Sequence, residues 1–251
     1  MSNTSNLASE TNLDLTDAGS AVPYIPTSSR VLRTAEQKTL AMPAPHYGFL
    51  ARTLFKTLDF VYGRAGSLPK FVVLELVARV PYQAWENVGY VAISHQAENP
   101  HFGRRIFDYV REARAQQDNE QWHLFILQEL AQQRGHRPSW LRYSVFPQLL
   151  ALVYYHVAWL LYVVNPRLSY SLNADFEMHA ERCYMQYVHD HPALEYEVWD
   201  SVYSRDYGNY TTVADVLRRI ALDERAHRIE CLARMRAARF SLATTASSSS
   251  G

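Results

Sequence analysis

NEQWHLFILQEL at residues 119–130 and LDERAHRIECL at residues 222–232 each carry a Glu-x-x-His inside a run whose apolar residues recur every three or four positions. That recurrence predicts helix. Residues three apart on a helix share a face, so Glu120 with His123, and Glu224 with His227, each offer one carboxylate and one imidazole to the same point. A third pair, Glu98 and His101, is interrupted by Asn99-Pro100, and a loop does not hold that register. With 14 Glu and 10 His in 251 residues, about half a pair is expected by chance, and a single one is most often part of a solvated face. The reading therefore turns on further carboxylates.

Two are in place. In FVVLELVARVPY, residues 71–82, Glu75 stands in an otherwise apolar stretch, where an unpartnered charge is costly. Pairing with Arg79, one turn on, is one way to satisfy it; a metal is another. Glu177, in ADFEMHAERCYMQY, is less isolated and on its own reads equally as a surface residue. Together the four segments supply Glu, Glu-x-x-His, Glu, Glu-x-x-His, the ligand set of di-iron and di-manganese carboxylate bundles. The intervals from Glu75 to Glu120, Glu177 and Glu224 are 45, 57 and 47 residues, which allows each ligand its own helix. Four carboxylates and two neutral imidazoles are balanced by two divalent ions, and oxygen and nitrogen donors suit iron or manganese.

Outward from these segments the pattern stays helical. Helices are expected over about residues 47–62, 70–95 with a kink near Pro81, 102–133 closing at Gly135, 149–164, 170–189 and 213–240, with a loop around Arg205 to Tyr210. The predicted fold is all-α: a ferritin-like four-helix bundle with a di-iron core plus two additional, membrane-facing helices. Those two are the 47–62 helix, with Arg52 and Lys56 beside an apolar face, and LLALVYYHVAWLLYVV, residues 149–164, read as too short to span comfortably and interrupted by His156. Residues 1–45, rich in Ser, Thr, Asn and Pro, are expected to be a disordered arm, 46–240 the di-iron helical-bundle domain, and 241–251 a disordered tail. The N-terminal stretch has no apolar h-region and carries Glu10, Asp14 and Asp17 before its first basic residue, Arg30. It fits neither a secretory signal nor an Arg-rich transit peptide.

Lys and Arg total 25 against 25 Asp and Glu, which leaves no basic footprint for nucleic acid. Cys183 and Cys231 are too few for a disulfide framework or a thiolate cluster.

The four blocks, including Val80-Pro81-Tyr82 and Asn165-Pro166-Arg167, resemble those of the alternative oxidases, and most closely their plastid-type branch, the plastoquinol terminal oxidases, over about Leu50 to Cys231. The resemblance implies a quinol:oxygen oxidoreductase that reduces O2 to water without proton pumping. It assigns Glu75, Glu120, His123, Glu177, Glu224 and His227 to two iron ions per chain. It gives Tyr184, seven residues after Glu177, a redox role beside the iron pair; seven residues is two helical turns, so the two share a face. The quinol pocket would be lined by Lys70, Leu74, His179, Ala180 and Cys183, with Lys70 where an Arg is common and Cys183 where a Thr is common. Quinol and O2 are the expected partners, with one leaflet of a membrane and a homodimer. The setting favoured is a cytoplasmic or thylakoid membrane surface of a prokaryotic-type host, an organelle inner membrane staying open. A ferritin-like iron oxidase or a lipid hydroxylase is the alternative; the apolar 149–164 run and the basic, amphipathic 47–62 helix speak against the ferritin reading.

Overall fold

The computed structural model describes residues 28–236 and 239–240. Its helices are α1 (Ser29–Ala41), α2 (Phe49–Tyr62), α3 (Leu68–Ala78), α4 (Val80–Ile93), α5 (Pro100–Gln133), α6 (Phe146–Val164), α7 (Pro166–Asp190), α8 (Ser204–Tyr207) and α9 (Val213–Arg236). Among the described residues there is no strand, only an isolated antiparallel bridge between Val198 and Thr212.

Capping explains several of these boundaries. The Asn99 side chain accepts from the Phe102 amide to start α5, and the Asn165 side chain accepts from the Arg167 amide to start α7, each with Pro next in line where a helix needs no donor. Just past α5, Gly135 takes φ 69°. The bundle itself is α3 with α4, α5, α7 and α9: α7 packs along α9, and α3 and α4 pack in succession along α5. Gly89 permits the close approach of α4 to α5, since a Cβ there would lie 2.5 Å from Val110 Cγ2.

The helix expected over 70–95 is two helices. Pro81 removes an amide donor and crowds the carbonyl one turn back, and the chain breaks at Arg79 with φ −65° and ψ −17°, a kink and not a loop. The apolar helix is longer than expected: a π-helical turn, Leu141–Val145, leads into α6 just ahead of Pro147. Leu141–Val164 is thus 24 residues and contains an 18-residue window of mean hydropathy 1.5, long and apolar enough to cross a membrane, where the sequence reading took the run as too short. The last helix ends at Arg236, and residues 237–238 lie outside the described set.

The arm expected over 1–45 needs correction from residue 29 onward. Helix α1 is polar in composition yet docks against α9 and α7 through Leu32, Ala35, Glu36 and Thr39. Arg218 Nε donates to Glu36 Oε2 at 2.6 Å, and its guanidinium also meets Asp215 and Glu195. Thr39 Oγ1 donates to Glu181 Oε1 at 2.8 Å, which Arg225 also binds. Ion pairs with α9 and α7, rather than an apolar stripe, order this segment. Residues 1–27 and 241–251 of the expected arm and tail lie outside the described residues.

Helices α2 and α6 leave apolar side chains in the open. Phe49 and Phe60 on α2, and Leu149, Leu152, Val153, Leu160 and Val164 on α6, are all exposed, Phe60 to 89%. The α6 residues recur at three and four, so they form one stripe along the helix. Tyr62 at the end of α2 packs on Tyr143 and Phe146 at the start of the apolar helix.

Candidate metal centre

The midpoints of α3, α5, α7 and α9 converge on six buried side chains, each 0–1% exposed: Glu75, Glu120, His123, Glu177, Glu224 and His227. They form two overlapping groups. Glu75, Glu120, His123 and Glu224 place ligand atoms within 4.8 Å of one another, and so do Glu120, Glu177, Glu224 and His227. Glu120 and Glu224 belong to both groups. Each group therefore has one carboxylate and one imidazole of its own, and two carboxylates stand between them.

His123 Nδ1 lies 3.3 Å from Glu75 Oε2, 3.4 Å from Glu120 Oε2 and 3.0 Å from Glu224 Oε1. His227 Nδ1 lies 2.7 Å from Glu120 Oε1 but without the alignment of a hydrogen bond. Both oxygens of Glu120 and of Glu224, Oε2 of Glu177 and both ring nitrogens of His227 have no hydrogen-bond partner. Buried polar atoms seldom go unpartnered, and the residues that carry these all belong to the two ligand groups. Burial, then the charge of Glu120, pushes Glu75 up to about 8 and Glu177 up to about 7. Burial, then the charges of Glu120, Glu75 and Glu177, raises Glu224 well above the carboxylate range. Burial also opposes ionisation of Glu120, but its contacts with His123 and His227 outweigh this and hold it below that range. For His227, burial opposes the charged form, yet Glu120 and Glu177 lift it to about 9. A cluster that takes up protons to relieve its own repulsion is one that divalent cations can neutralise instead. The oxygen and nitrogen donors fit two iron or manganese ions.

A second ring of residues holds these ligands. Tyr184, buried on α7, donates its hydroxyl to Glu75 Oε1 on α3, so it reaches across the bundle and does not stay with Glu177, whose helix face it shares. Glu177 Oε1 accepts from Tyr82 at 2.7 Å and from Asn173 Nδ2 at 2.7 Å. Asp223 Oδ2 lies 3.4 Å from His123 Nε2 and accepts from Tyr207 at 2.6 Å, while Arg219 binds its other oxygen at 2.6 Å. Carboxylate partners of this kind fix the tautomer and orientation of a ligand histidine. The pairing of Glu75 with Arg79 does not form, since Arg79 donates to Gln121 at 2.5 Å. Glu98 and His101 are exposed and remote from the cluster.

Tyr82, Asn173, Asp223 and Tyr207 were missed by sequence reasoning. Tyr82 follows Glu75 by seven residues, the same two-turn interval that singled out Tyr184 after Glu177. Asp223 directly precedes Glu224 and so was hidden beside a stronger signal.

The five residues expected to line a substrate pocket gather beside this centre, where α2, α3 and α7 meet. Lys70 is buried and donates to Asp59 Oδ1 of α2 at 2.7 Å and to the Gly63 carbonyl at 2.8 Å. His179 stacks on Phe55 with ring centroids 3.9 Å apart, and its Nε2 lies 3.4 Å from Cys183 Sγ. Burial, then the charge of Lys70, lowers His179 to about 4, and burial pushes the Cys183 thiol up to about 11. Leu74 and Ala180 are buried in the core cluster that also contains Tyr184.

Comparison with known proteins agrees with this geometry. The sequence model of the alternative oxidase family matches residues 42–233. Ubiquinol oxidase 4, chloroplastic/chromoplastic, of Arabidopsis thaliana is 34% identical over 140 residues, which cover 56% of this chain and 36% of that protein. The chain thus spans about a third of the length of the curated relative it matches.

Proposed function

The chain belongs to the alternative oxidase family, and from that premise we propose that it oxidises a quinol and reduces O2 to water at a pair of iron ions. Glu75 and His123 would hold one ion and Glu177 and His227 the other, with Glu120 and Glu224 within reach of both. When bound, the iron pair supplies the redox chemistry that activates O2. The observation that carries this reading is the sharing of Glu120 and Glu224 between two otherwise separate ligand groups.

The chain's own residues handle the substrate and its protons. The quinol enters between α2, α3 and α7, where Lys70 is tied to Asp59 and His179 stacks on Phe55. His179, kept neutral by burial and by Lys70, is an acceptor for a quinol proton. Tyr184, next in sequence to Cys183 and hydrogen-bonded to Glu75, joins this pocket to the ligand cluster. Loss of an electron to the loaded centre and of its proton to Glu75 would leave Tyr184 a neutral radical, which an electron and a proton from quinol restore. Two quinols release the four electrons and four protons that one O2 needs, so no proton has to come from elsewhere.

The exposed apolar side chains of α2 and α6 seat the protein on one leaflet of a membrane, where its substrate is dissolved. Two copies form a dimer, and the host membrane is a cytoplasmic or thylakoid surface. Membranes carrying the protein, supplied with quinol and treated with cyanide, are expected to keep consuming O2, and to stop when Glu75 or His227 is replaced by Ala. Cyanide-resistant uptake that survives both replacements overturns the proposal.

A further inference from the structure

Where α6 ends and α7 begins, a cavity of about 120 Å3 opens between α5, α7 and the C-terminal end of α9, lined by Tyr109, Asn165, Arg167, Tyr170, Arg234 and Arg239. Three guanidinium groups meet there, and one carboxylate answers them. Arg234 Nε donates to Glu112 Oε1 at 2.9 Å, with its guanidinium 3.9 Å from the centre of the Tyr109 ring. Arg239 donates to the carbonyls of Tyr162 and Val163 in the last turn of α6 and has no ion pair among the described residues. Arg167 is exposed in the first turn of α7 and has no ion pair among the described residues. The Tyr109 hydroxyl is buried, lines the cavity and makes no hydrogen bond. A cavity with this excess of positive charge suits an anion with several acceptor oxygens.

Its position says which anion. The apolar stripe of α6 runs out at Val163 and Val164, directly before Asn165, and Leu168 is exposed one residue beyond Arg167. An acyl chain lying along that stripe brings its head group to the arginines. We propose that this cavity holds the phosphate of an anionic phospholipid at the edge of the lipid-facing surface, a proposal that rests on the membrane reading above.

The test is cosedimentation of the full chain with vesicles of phosphatidylcholine alone, or with about a third phosphatidylglycerol. We expect binding to both, tighter by about tenfold with phosphatidylglycerol, as one to two arginines at an anionic surface supply. Arg167→Gln and Arg239→Gln each remove most of that gain and leave binding to phosphatidylcholine unchanged, whereas Lys38→Gln on exposed α1 removes little of it. Arg167 is exposed, so its variant keeps the fold even if replacing Arg239 frays α6. An equal loss from Lys38→Gln and Arg167→Gln shows a diffuse attraction and overturns the site. So does a thermal shift with inorganic phosphate alone and no preference between vesicles, which marks a free-anion site. Failure to bind either vesicle overturns the membrane reading as well, and only that result does.

Discussion

Tyr184 lies two helical turns after Glu177 on α7, yet its hydroxyl donates to Glu75 on α3; Tyr82, two turns after Glu75, donates in return to Glu177. Each terminal carboxylate is thus held by a tyrosine from the other's segment. The two crossed bonds tie α3 and α4 to α7 around the centre. They also give the two tyrosines different surroundings. Tyr184 adjoins the face with Lys70, His179 and Cys183, whereas Tyr82 packs on Trp85 and His227 on the far side.

Replacing Tyr184 by Phe removes only the hydroxyl from a buried ring, so packing is expected to stay as it is; Glu75 loses a donor, and the variant is therefore compared with the parent at equal iron content. Quinol oxidation should fall by about two orders of magnitude, or roughly 2.7 kcal/mol of transition-state stabilisation. Steady-state quinol oxidation beside iron analysis checks this. A variant that works at the parental rate returns Tyr184 to packing alone.

Tyr82→Phe should act on metal affinity rather than on electron delivery. Glu177 keeps Asn173 as a donor but loses half its support, and loss of such a partner costs about 10–100-fold in metal affinity. Dialysis against a graded chelator is expected to strip the variant of about one ion per chain at concentrations where the parent keeps two.

Glu224→Gln separates stability from function. A carboxyl whose folded pKa is raised destabilises the fold at any pH above its unfolded value, because the unfolded chain releases the proton that the folded chain must keep. Glu224 is raised by burial and by three neighbouring carboxylates. The metal-free variant should therefore melt higher at pH 7 than the metal-free parent, by about 2–4 °C for each kcal/mol relieved, and the difference should vanish below about pH 4, where both states are protonated. The same variant should fail to load iron. Scanning calorimetry at the two pH values decides it.

Arg218→Ala tests the docking of α1. It strands Glu36, Asp215 and Glu195 around a missing cation, and breaking a buried pair costs about 3–5 kcal/mol. Urea unfolding should show that loss, with iron content unchanged in the folded fraction. No shift in the midpoint would mean that α1 is not held by this network.

The sequence made the six ligands legible because helical spacing and an apolar setting both bore on them: Glu75 was conspicuous as a charge among valines and leucines, and Glu-x-x-His pairs are rare. The bundle followed from the same periodicity. Helix α1 was illegible for the opposite reason. Its residues are polar and its docking depends on Arg218 and Arg225, nearly two hundred positions away, a contact that no local pattern encodes. The partner of Tyr184 was illegible for a similar reason. Spacing along one helix reports which face a residue shares, but not which neighbouring helix that face meets. The length of the apolar helix was underestimated because Arg142 and Pro147 break the run in composition, while a π turn carries the backbone through them.

The proposed activity couples quinol oxidation to the complete reduction of O2 at the centre that shares Glu120 and Glu224. The most direct measurement follows quinol, O2 and hydrogen peroxide together during turnover of the iron-loaded protein. The account predicts two quinols consumed for each O2, no peroxide released, and no turnover after Glu120→Ala. One quinol per O2 with peroxide accumulating, or the same turnover in the Glu120→Ala protein, would contradict it.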